Sequence, residues 1–256
     1  MKFARFTHGR RIAYGIVHAD SIEEISSTPF LPYERSGVVL DLDDVRLLAP
    51  CIPSKVVAIA LNYADHVAEM STQAPGHPVF FYKPSTAVVG PGDRVVAPDG
   101  CKQLDYEGEL AVVIGGVAKG VDAKRFEEVV LGYTCGIDAT ARDLQRIDGQ
   151  WGRAKGFDTS APLGPWIETE LDPADLALVT RVNGQVKQDG RTSQMIFDVP
   201  SLVAFVTRYV TLLPGDVIMT GTPAGIGPLS SGDALSVEIE GIGALEVTVS
   251  APAAAE

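Results

Sequence analysis

The amino-acid sequence predicts a β-rich α+β protein, and three features carry this prediction. Short segments rich in β-branched and aromatic residues recur along the chain, bounded by Gly or Pro as strands usually are. Asn183-Gly184, between two such segments, is a strong signal for a two-residue hairpin. Segments with helical signals are few, and they do not alternate with the strands as in a doubly wound α/β fold.

The strand candidates are spread along the whole chain. Turn sequences such as Pro91-Gly92-Asp93 and Pro214-Gly215-Asp216 lead into some of them. We predict strands over residues 2–7, 11–18, 56–60, 79–82, 88–96, 109–114, 178–182, 185–188, 217–220, 235–239 and 245–250.

Three helices are predicted from local capping signals. Asn62 is expected to cap a helix over residues 63–70. Thr140 and Asp143 have the spacing of a capping box for a helix over residues 141–147. Pro200 suits the first turn of a helix that runs to about residue 209.

Residues 1–50 differ in texture from the rest of the chain. They contain two predicted strands followed by a Ser- and Pro-rich stretch over residues 26–32. We therefore expect a small N-terminal accessory lobe over residues 1–50, joined near residues 50–53 to a main domain over residues 51–256.

Length and charge exclude several classes of protein. The 256 residues fit one main domain with a small addition. The chain carries 21 Lys and Arg against 33 Asp and Glu, which gives a net charge of −12. It therefore lacks the basic footprint of a general nucleic-acid binder and is repelled by an anionic membrane surface. We expect neither a nucleic acid nor a membrane as partner.

Three further observations concern the cellular compartment. Cys51, Cys101 and Cys135 are an odd number of cysteines without a CxxC pair, which favours a reducing compartment. The N-terminus has no apolar segment of the secretory type, and no apolar run is long enough to span a bilayer. We therefore expect a soluble cytoplasmic protein.

The clearest functional signal lies at the start of the strand predicted around residues 109–114. Side chains alternate between the two faces of a strand, so Asp105, Glu107 and Glu109 would share one face. Carboxylates crowded in this way repel one another unless they are protonated, solvated or bound to a cation. Their oxygens suit Mg²⁺, Ca²⁺ or Mn²⁺. A solvated strand end with Lys or Arg partners on neighbouring strands explains the same pattern.

Further candidates follow along the chain. Asp138 ends an apolar run and could be a third ligand, although a charge at the positive end of the next helix is its commoner role. Arg142, Gln145 and Arg146 have the spacing of one helix face. Arg142 suits a substrate carboxylate because its planar fork donates two hydrogen bonds, but a solvated helix face explains it equally. Lys155 lies in a Gly-flanked segment, where a surface lysine is the commoner explanation.

Further candidate residues lie before and after the acidic strand in the chain. His66 and Glu69 are three residues apart on a predicted helix, where a carboxylate can fix the imidazole tautomer and raise its basicity. An ordinary exposed helical pair accounts for the same spacing. Thr222 lies in a Gly-rich turn that lacks the pattern of a nucleotide-binding loop but can offer hydrogen-bond donors to a carboxylate.

Taken together, these segments closely resemble the fumarylacetoacetate hydrolase family. The resemblance covers roughly residues 45–249 and includes each expected block in order. The blocks are residues 61–69 (LNYADHVAE), 81–85 (FYKPS), 106–115 (YEGELAVVIG), 138–145 (DATARDLQ), 155–159 (KGFDT), 214–216 (PGD) and 221–225 (GTPAG).

The resemblance implies a fold, an assembly and a site. The fold is a mixed β-roll of the family's C-terminal domain type from about residue 51 onward, with a small N-terminal lobe, usually as a homodimer. The metal, Mg²⁺ or Mn²⁺, would be held by Glu107, Glu109 and Asp138. The resemblance also implies catalytic roles for His66, Glu69 and Lys155, with His66 and Glu69 on a lid over the substrate. It implies substrate contacts for Arg142, Gln145, Thr222, Tyr82 and Lys83.

The implied chemistry acts on 2-oxo acids through a metal-stabilised enolate at C3. C–C hydrolysis of acylpyruvates, decarboxylation of oxaloacetate, or both, are the activities expected first. The alternative is an isomerase of 2-hydroxyhepta-2,4-diene-1,7-dioate in aromatic catabolism, and a lyase or hydratase on ureidoglycolate-like acids is a third. A non-catalytic metal- or carboxylate-binding protein on the same fold is the alternative outside enzymes.

One departure from the family pattern concerns the substrate tail. Where close relatives often have Gly-Arg-Asn-Tyr or Gly-Leu-Asn-Tyr, this chain has Ala60-Leu61-Asn62-Tyr63. The absence of an arginine at residue 61 would weaken recognition of a second substrate carboxylate. We therefore expect an acylpyruvate with an uncharged tail.

Overall fold

The computed structural model describes residues 1–251. Strands take up 44% of the residues and helices 17%, which confirms the β-rich class. The first five strands are β1 (Lys2–His8), β2 (Arg11–Val17), β3 (Ser21–Ile25), β4 (Arg35–Asp41) and β5 (Arg46–Leu48). The next nine are β6 (Lys55–Ala60), β7 (Val79–Pro84), β8 (Val88–Val89), β9 (Arg94–Val96), β10 (Leu104–Tyr106), β11 (Gly108–Ile114), β12 (Val130–Ile137), β13 (Thr140–Ala141) and β14 (Ala161–Glu168).

The remaining strands and the helices complete the described part of the chain. The last six strands are β15 (Ala177–Val182), β16 (Gln185–Arg191), β17 (Val217–Met219), β18 (Gly227–Leu229), β19 (Ala234–Ile239) and β20 (Gly243–Ser250). The α-helices of residues 1–251 are α1 (Ala64–Glu69), α2 (Arg142–Ile147), α3 (Gly152–Lys155) and α4 (Val199–Tyr209). Across this described range, no helix has both the length and the apolar character needed to cross a membrane.

Three sheets organise residues 1–251. The main sheet has twelve strands, ten of them in the order β4-β3-β2-β1-β14-β12-β11-β17-β6-β7, with β5 beside β1 and β8 beside β14. The second sheet has the order β16-β15-β19-β20-β9, and the third has the order β13-β10-β18. Most neighbouring strands are antiparallel, whereas β17 and β6 are parallel, so the main sheet is mixed.

Strand β11 is the centre of the core. Leu110 and Val112 point into a cluster shared with the second sheet and helix α4. Ala111 and Val113 point to the opposite face, into a cluster that includes Phe3 of β1. The alternation predicted for residues 109–114 is confirmed, and both faces of the strand are buried. Residues at its N-terminal end are therefore held by packing on two sides.

The N-terminal residues extend the main sheet. Strand β1 pairs with β14, with Lys2 opposite Glu168, and the terminal amine lies 2.7 Å from the Glu168 carboxylate. Strands β3 and β4, which the sequence pattern does not reveal, continue the sheet outward beyond β2. The sheet therefore runs without interruption across residues 1–50 and the strands that follow.

Several local predictions are wrong, because tertiary contacts take the polar groups involved. Asn62 does not cap α1, since its side chain bonds the backbone of Phe197 and Thr220. Thr140 and Asp143 form no capping box, because the Asp143 carboxylate accepts instead from the amides of the residue 102–103 loop.

Two further helix and strand predictions have clear outcomes. The strand predicted over residues 88–96 is divided into β8 and β9 by the turn at Pro91-Gly92-Asp93, where Gly92 has a positive φ. Helix α4 is confirmed, with Pro200 in its first turn and Asp198 as its cap.

Gly132 marks a close approach between β12 and β14. A Cβ at this position would overlap the backbone carbonyl of Glu168, and a paired backbone cannot move aside in a closely packed sheet. We expect Gly132→Ala to lower the free energy of unfolding by about 1–3 kcal/mol, the usual cost of overpacking. Gly116→Ala is the matched control, because nothing lies within 4 Å of its added methyl group. Equal urea midpoints for the two variants would contradict this expectation.

Candidate active site

Three carboxylates meet where β11 begins and β12 ends. The strands are antiparallel with Gly108 opposite Ile137, so the residues just outside this pair are neighbours. The amide of Asp138 donates to the carbonyl of Glu107 at 2.9 Å. One carboxylate oxygen each of Glu107, Glu109 and Asp138 lies within 4.8 Å of the other two, and all three side chains are buried. We call these three residues the acidic triad.

Two buried lysines face the acidic triad. Lys155, at the end of α3, places its Nζ 2.9 Å from Glu107 Oε2 and 2.7 Å from Asp138 Oδ2. Lys83, on β7, places its Nζ 2.7 Å from Asp138 Oδ1 and also donates to the backbone carbonyl of Lys155. Lys83 therefore braces both a triad carboxylate and the segment that carries the other lysine.

Arg142 binds the acidic side of the site from helix α2. Its Nε lies 2.9 Å from Asp105 Oδ2, and its Nη2 lies 2.5 Å from Glu107 Oε1. Its Nη1 donates to Gln145 Oε1 at 2.7 Å. All three nitrogens of this guanidinium are thus engaged by protein acceptors. Cationic partners do face the acidic residues, but these residues are buried rather than solvated, and Arg142 and Lys155 lie on helices rather than on neighbouring strands.

The electrostatic environment differs within the acidic triad. Burial, and then repulsion by Asp138 and Glu107, raises the pKa of Glu109 well above its ordinary value. Burial would raise the pKa of Glu107 too, but attraction by Lys155 and Arg142 outweighs it and holds that pKa below its usual range. Glu109 is therefore the carboxylate whose negative charge the protein compensates least.

The two lysines also differ. Burial lowers the pKa of Lys83, although Asp138 partly opposes this effect. For Lys155 burial acts in the same direction, but Asp138 and Glu107 outweigh it and raise the pKa. Lys155 is therefore the lysine whose positive charge the site stabilises.

The donor set fits a hard divalent cation. Three buried carboxylates supply the oxygen ligands that Mg²⁺ and Mn²⁺ prefer. Oδ1 of Asp138 makes no aligned hydrogen bond, although the Lys83 amine is near it. Four carboxylates, those of Asp105 and the acidic triad, are set against the three buried cations Lys83, Arg142 and Lys155. The excess negative charge is what a bound cation would offset.

His66 and Glu69 form a pair on α1. His66 Nδ1 lies 3.0 Å from Glu69 Oε2, and the histidine is 5% exposed. Glu69 Oε1 accepts from the amide of Gly225, and Asp65 Oδ2 accepts from the amide of Ala224. Helix α1 is therefore tied at two points to the Gly-rich turn after β17.

That Gly-rich turn also contacts the acidic triad. Strand β17 pairs with β11, which brings the amide of Gly221 to 2.8 Å from Glu109 Oε2. The Thr222 hydroxyl donates to the carbonyl of Gly108 and accepts from Gln188, so its proton is already used. Gln188 gave no sequence signal, because it is one polar residue in a polar alternating strand.

A cavity of about 280 Å³ opens over these residues. Its polar lining includes six of the predicted site residues, namely His66, Glu107, Arg142, Gln145, Lys155 and Thr222. Arg146 also lines it, and its apolar wall includes Ile59, Leu61, Met70, Phe81 and Trp151. The cavity is of a size that suits a small organic acid.

Two of the predicted substrate contacts are placed elsewhere. Tyr82 is 48% exposed and Lys83 is fully buried against Asp138, and neither lines the cavity. Phe81 lines it instead. The centroid of its ring lies 5.5 Å from that of Trp151 and 5.3 Å from Lys155 Nζ. The pattern of β7 alone does not say which of its faces meets the cavity.

The fold and the site together define a mixed-sheet protein with a buried acidic centre beneath a cavity for a small molecule. The family model described as fumarylacetoacetate (FAA) hydrolase C-terminal matches residues 55–250, and the chain belongs to that family. A second family model, described as Rv2993c-like, N-terminal, matches residues 1–50.

Individual relatives are similar over most of the chain. Protein Rv2993c of Mycobacterium tuberculosis is 52% identical over 225 residues, which span 87% of this chain and 85% of that protein. The human mitochondrial oxaloacetate tautomerase FAHD2A is 43% identical over 220 residues, 81% of this chain and 70% of that protein. The relatives thus include an enzyme.

Solved structures agree with the fold. A 2-hydroxyhepta-2,4-diene-1,7-dioate isomerase from Mycobacterium marinum superposes with a TM-score of 0.92 at 45% identity, covering 98% of each chain. A maleylpyruvate hydrolase from Sphingobium sp. SYK-6, in complex with manganese(II) and pyruvate, has a TM-score of 0.82 at 31% identity, covering 99% of this chain and 100% of that one. These similarities confirm the mixed β architecture that the resemblance implies.

Proposed function

We propose that this protein is a divalent-metal-dependent enzyme that acts on short 2-oxo acids by chemistry at C3. One observation carries the proposal: Glu107 of the acidic triad, Lys155, which pairs with the triad, and His66 of the His66–Glu69 pair line a single cavity. The net reactions we favour are C–C hydrolysis of acylpyruvates and decarboxylation of oxaloacetate. Both reactions release the enolate of pyruvate.

The acidic triad would hold Mg²⁺ or Mn²⁺, which when bound supplies Lewis-acid polarisation of the substrate's 2-oxo group. Lys155 holds the carboxylates of Glu107 and Asp138 in place through its two ion pairs. It also lines the cavity, where its charge offsets negative charge that develops on the substrate oxygen.

His66 is the general base in this proposal. A proton shared between Nδ1 and Glu69 leaves the Nε2 lone pair free to accept a proton from water or from C3. Glu69 is fixed in turn by the amide of Gly225, which orients the imidazole. Hydrolysis needs this base most, because the water that attacks the C4 carbonyl must lose a proton.

Gln145 is the substrate-binding residue best supported by its contacts. Its carbonyl oxygen accepts from Arg142, which turns its amide NH₂ group into a donor available to a substrate oxygen. Arg142 supports the site mainly by holding Glu107, and Thr222 by holding the start of β11. Lys83 positions Asp138 and the segment of Lys155 from behind.

Isomerisation or keto–enol tautomerisation is the second candidate. Similarity to the M. marinum isomerase and to the human oxaloacetate tautomerase favours it. These reactions also move a proton through an enol but break no C–C bond. The two candidates therefore share the residues and differ in the net product.

We further propose that the protein is a homodimer, as family membership suggests. Light scattering after size-exclusion chromatography tests this oligomeric state.

The test uses chelator-stripped protein with acetylpyruvate and, separately, oxaloacetate. Mg²⁺ or Mn²⁺ is added back, and pyruvate is followed by a coupled assay against a blank with metal alone. Metal-dependent pyruvate from either substrate is the expected result, and the ratio of the two rates assigns hydrolase or decarboxylase. Faster loss of the oxaloacetate enol without pyruvate would assign the second candidate. No turnover of either substrate with metal bound would leave an isomerase of other substrates or a non-catalytic binding protein.

A further inference from the structure

The cavity contains an arginine that the mechanism above does not use. Arg146 lines the cavity one helical turn after Arg142 and is exposed to solvent. Its Nη1 donates to Gln103 Oε1 at 3.1 Å, and Gln103 in turn donates to the Asp105 carboxylate. The side chain is therefore held at the cavity by a neutral amide that leaves its positive charge uncompensated.

The other cationic side chains that line the cavity, Arg142 and Lys155, are already paired with carboxylates. Arg142 pairs with Asp105 and Glu107, and Lys155 pairs with Glu107 and Asp138. Among the described residues 1–251, no carboxylate lies within ion-pair distance of Arg146. Of the Arg and Lys side chains that line the cavity, Arg146 is thus the one whose charge is available to a ligand.

A second carboxylate on the ligand is the group that fits this arginine. The carboxylate and 2-oxo oxygens of a 2-oxo acid would be directed to the acidic centre, which leaves the far end of the molecule to the rest of the cavity. A planar guanidinium recognises a carboxylate by two parallel hydrogen bonds. The apolar wall around Leu61 and Met70 offers no such partner.

We propose that Arg146 binds the distal carboxylate of a dicarboxylic 2-oxo acid and so sets the preferred substrate class. This inference rests on the proposed function, because it requires the 2-oxo acid group to bind at the acidic centre. It differs from the expectation drawn from Leu61, since an arginine on α2 supplies the charge that residue 61 lacks. The preferred ligands are 2-oxo dicarboxylates.

The test compares two ligands that differ at one end. 2-Oxopentanoate and 2-oxoglutarate have five carbons and the same 2-oxo acid group, and only 2-oxoglutarate has a distal carboxylate. Calorimetry on the Mg²⁺-loaded protein measures the dissociation constant of each ligand without turnover. Arg146→Gln is expected to weaken 2-oxoglutarate about tenfold or more, the value of a charge-assisted hydrogen bond, and to leave 2-oxopentanoate unchanged.

Two control variants sharpen the test. Arg153→Gln removes a nearby exposed arginine whose guanidinium is already paired with Asp148, so both ligands should bind as before. Arg146→Lys should recover part of the loss, because it restores a charge without the planar fork. Added salt should weaken 2-oxoglutarate binding in the wild type more than in Arg146→Gln, because exposed charges are screened.

Several results would overturn the inference. Equal weakening of both ligands in Arg146→Gln would show a structural role, and no weakening would show that the distal carboxylate binds elsewhere. Failure of both ligands to bind the Mg²⁺-loaded wild type would contradict the proposed function itself, and the inference with it. Binding of 2-oxopentanoate alone would overturn the inference and leave the proposed function standing.

Discussion

Glu109→Gln is expected to remove divalent-metal binding and, with it, catalytic activity. Glu109 is buried in the acidic triad, and its charge is the one that protein cations compensate least. An amide oxygen carries no charge for the metal, so we expect Mn²⁺ affinity to fall more than about 100-fold, beyond the loss seen for outer partners of metal ligands. Calorimetric titration of chelator-stripped protein with Mn²⁺ measures this change.

The same residue predicts how metal affinity depends on pH. Burial and the neighbouring Asp138 and Glu107 raise the pKa of Glu109, so a proton competes with the metal for this carboxylate. Metal affinity should therefore rise as pH increases towards the raised pKa and level off above it. In Glu109→Gln the part of the pH dependence due to this proton should disappear.

The stability of the metal-free protein separates this account from simple unfolding. Ionised Glu109 is unfavourable in the folded state, because its pKa is raised there. Its contribution to the free energy of unfolding therefore falls as pH rises above the pKa that the carboxyl has in the unfolded chain. Glu109→Gln should therefore melt no lower than the wild type without metal. Glu128→Gln, on an exposed pair with Arg125, is the control that should change neither binding nor activity. Wild-type Mn²⁺ affinity in Glu109→Gln would contradict this account.

His66→Ala is expected to lower kcat by about 10²–10⁴-fold, the usual contribution of a general base. Metal binding should remain, since His66 contacts Glu69 rather than the acidic triad. Glu69→Gln should give a smaller loss, because it weakens the orientation and basicity of the imidazole without removing it. Steady-state kinetics at saturating metal measure both effects.

The control for the His66 prediction is a histidine outside the cavity. His18→Ala removes an exposed side chain near Glu23 and should leave kcat unchanged. A His66→Ala variant with wild-type kcat would contradict the assignment of the base, whatever its effect on KM. Loss of metal binding in the same variant would also contradict it.

Local patterns in the sequence indicate a candidate cation site around Glu107 and Glu109, and the family resemblance adds Asp138 to complete the acidic triad. Glu107 and Glu109 flank a glycine at the start of an apolar strand, and Asp138 follows the apolar run that ends at Ile137. Antiparallel pairing of β11 with β12 then brings the three residues together. Their proximity depends on this strand pairing, which the local pattern does not give and the family resemblance supplies.

The partners of the acidic triad depend on contacts that local patterns do not encode. The interpretation of Arg142 as a substrate ligand follows from its spacing on a helix, whereas Asp105 and Glu107 engage it from 37 and 35 residues away. Asn62 resembles a helix cap in sequence, but it bonds the backbone of residues 135 and 158 positions away.

The N-terminal strands show a different limit. Strand β4 is exposed along nearly its whole length, so it has no apolar alternation by which to detect it. Strand β3 is short and contains two glutamates, which are depleted in strands. Strand β3 pairs with the edge of β2, and β4 pairs in turn with the edge of β3. The continuity of the main sheet therefore depends on backbone pairing more than on side-chain pattern.

The central claim is that the protein stabilises the enolate of a 2-oxo acid in a metal-dependent reaction. Deuterium exchange at C3 of 2-oxobutanoate in D₂O, followed by proton NMR with Mg²⁺, tests this claim because the exchange passes through the same kind of enolate, by loss of a C3 proton, without requiring a C–C bond to break. The account predicts that the C3 signal is lost faster with Mg²⁺-loaded protein than with Mg²⁺ alone, and that Glu109→Gln and His66→Ala abolish the difference. Exchange no faster than with Mg²⁺ alone, from protein that demonstrably binds the metal and the acid, would contradict it.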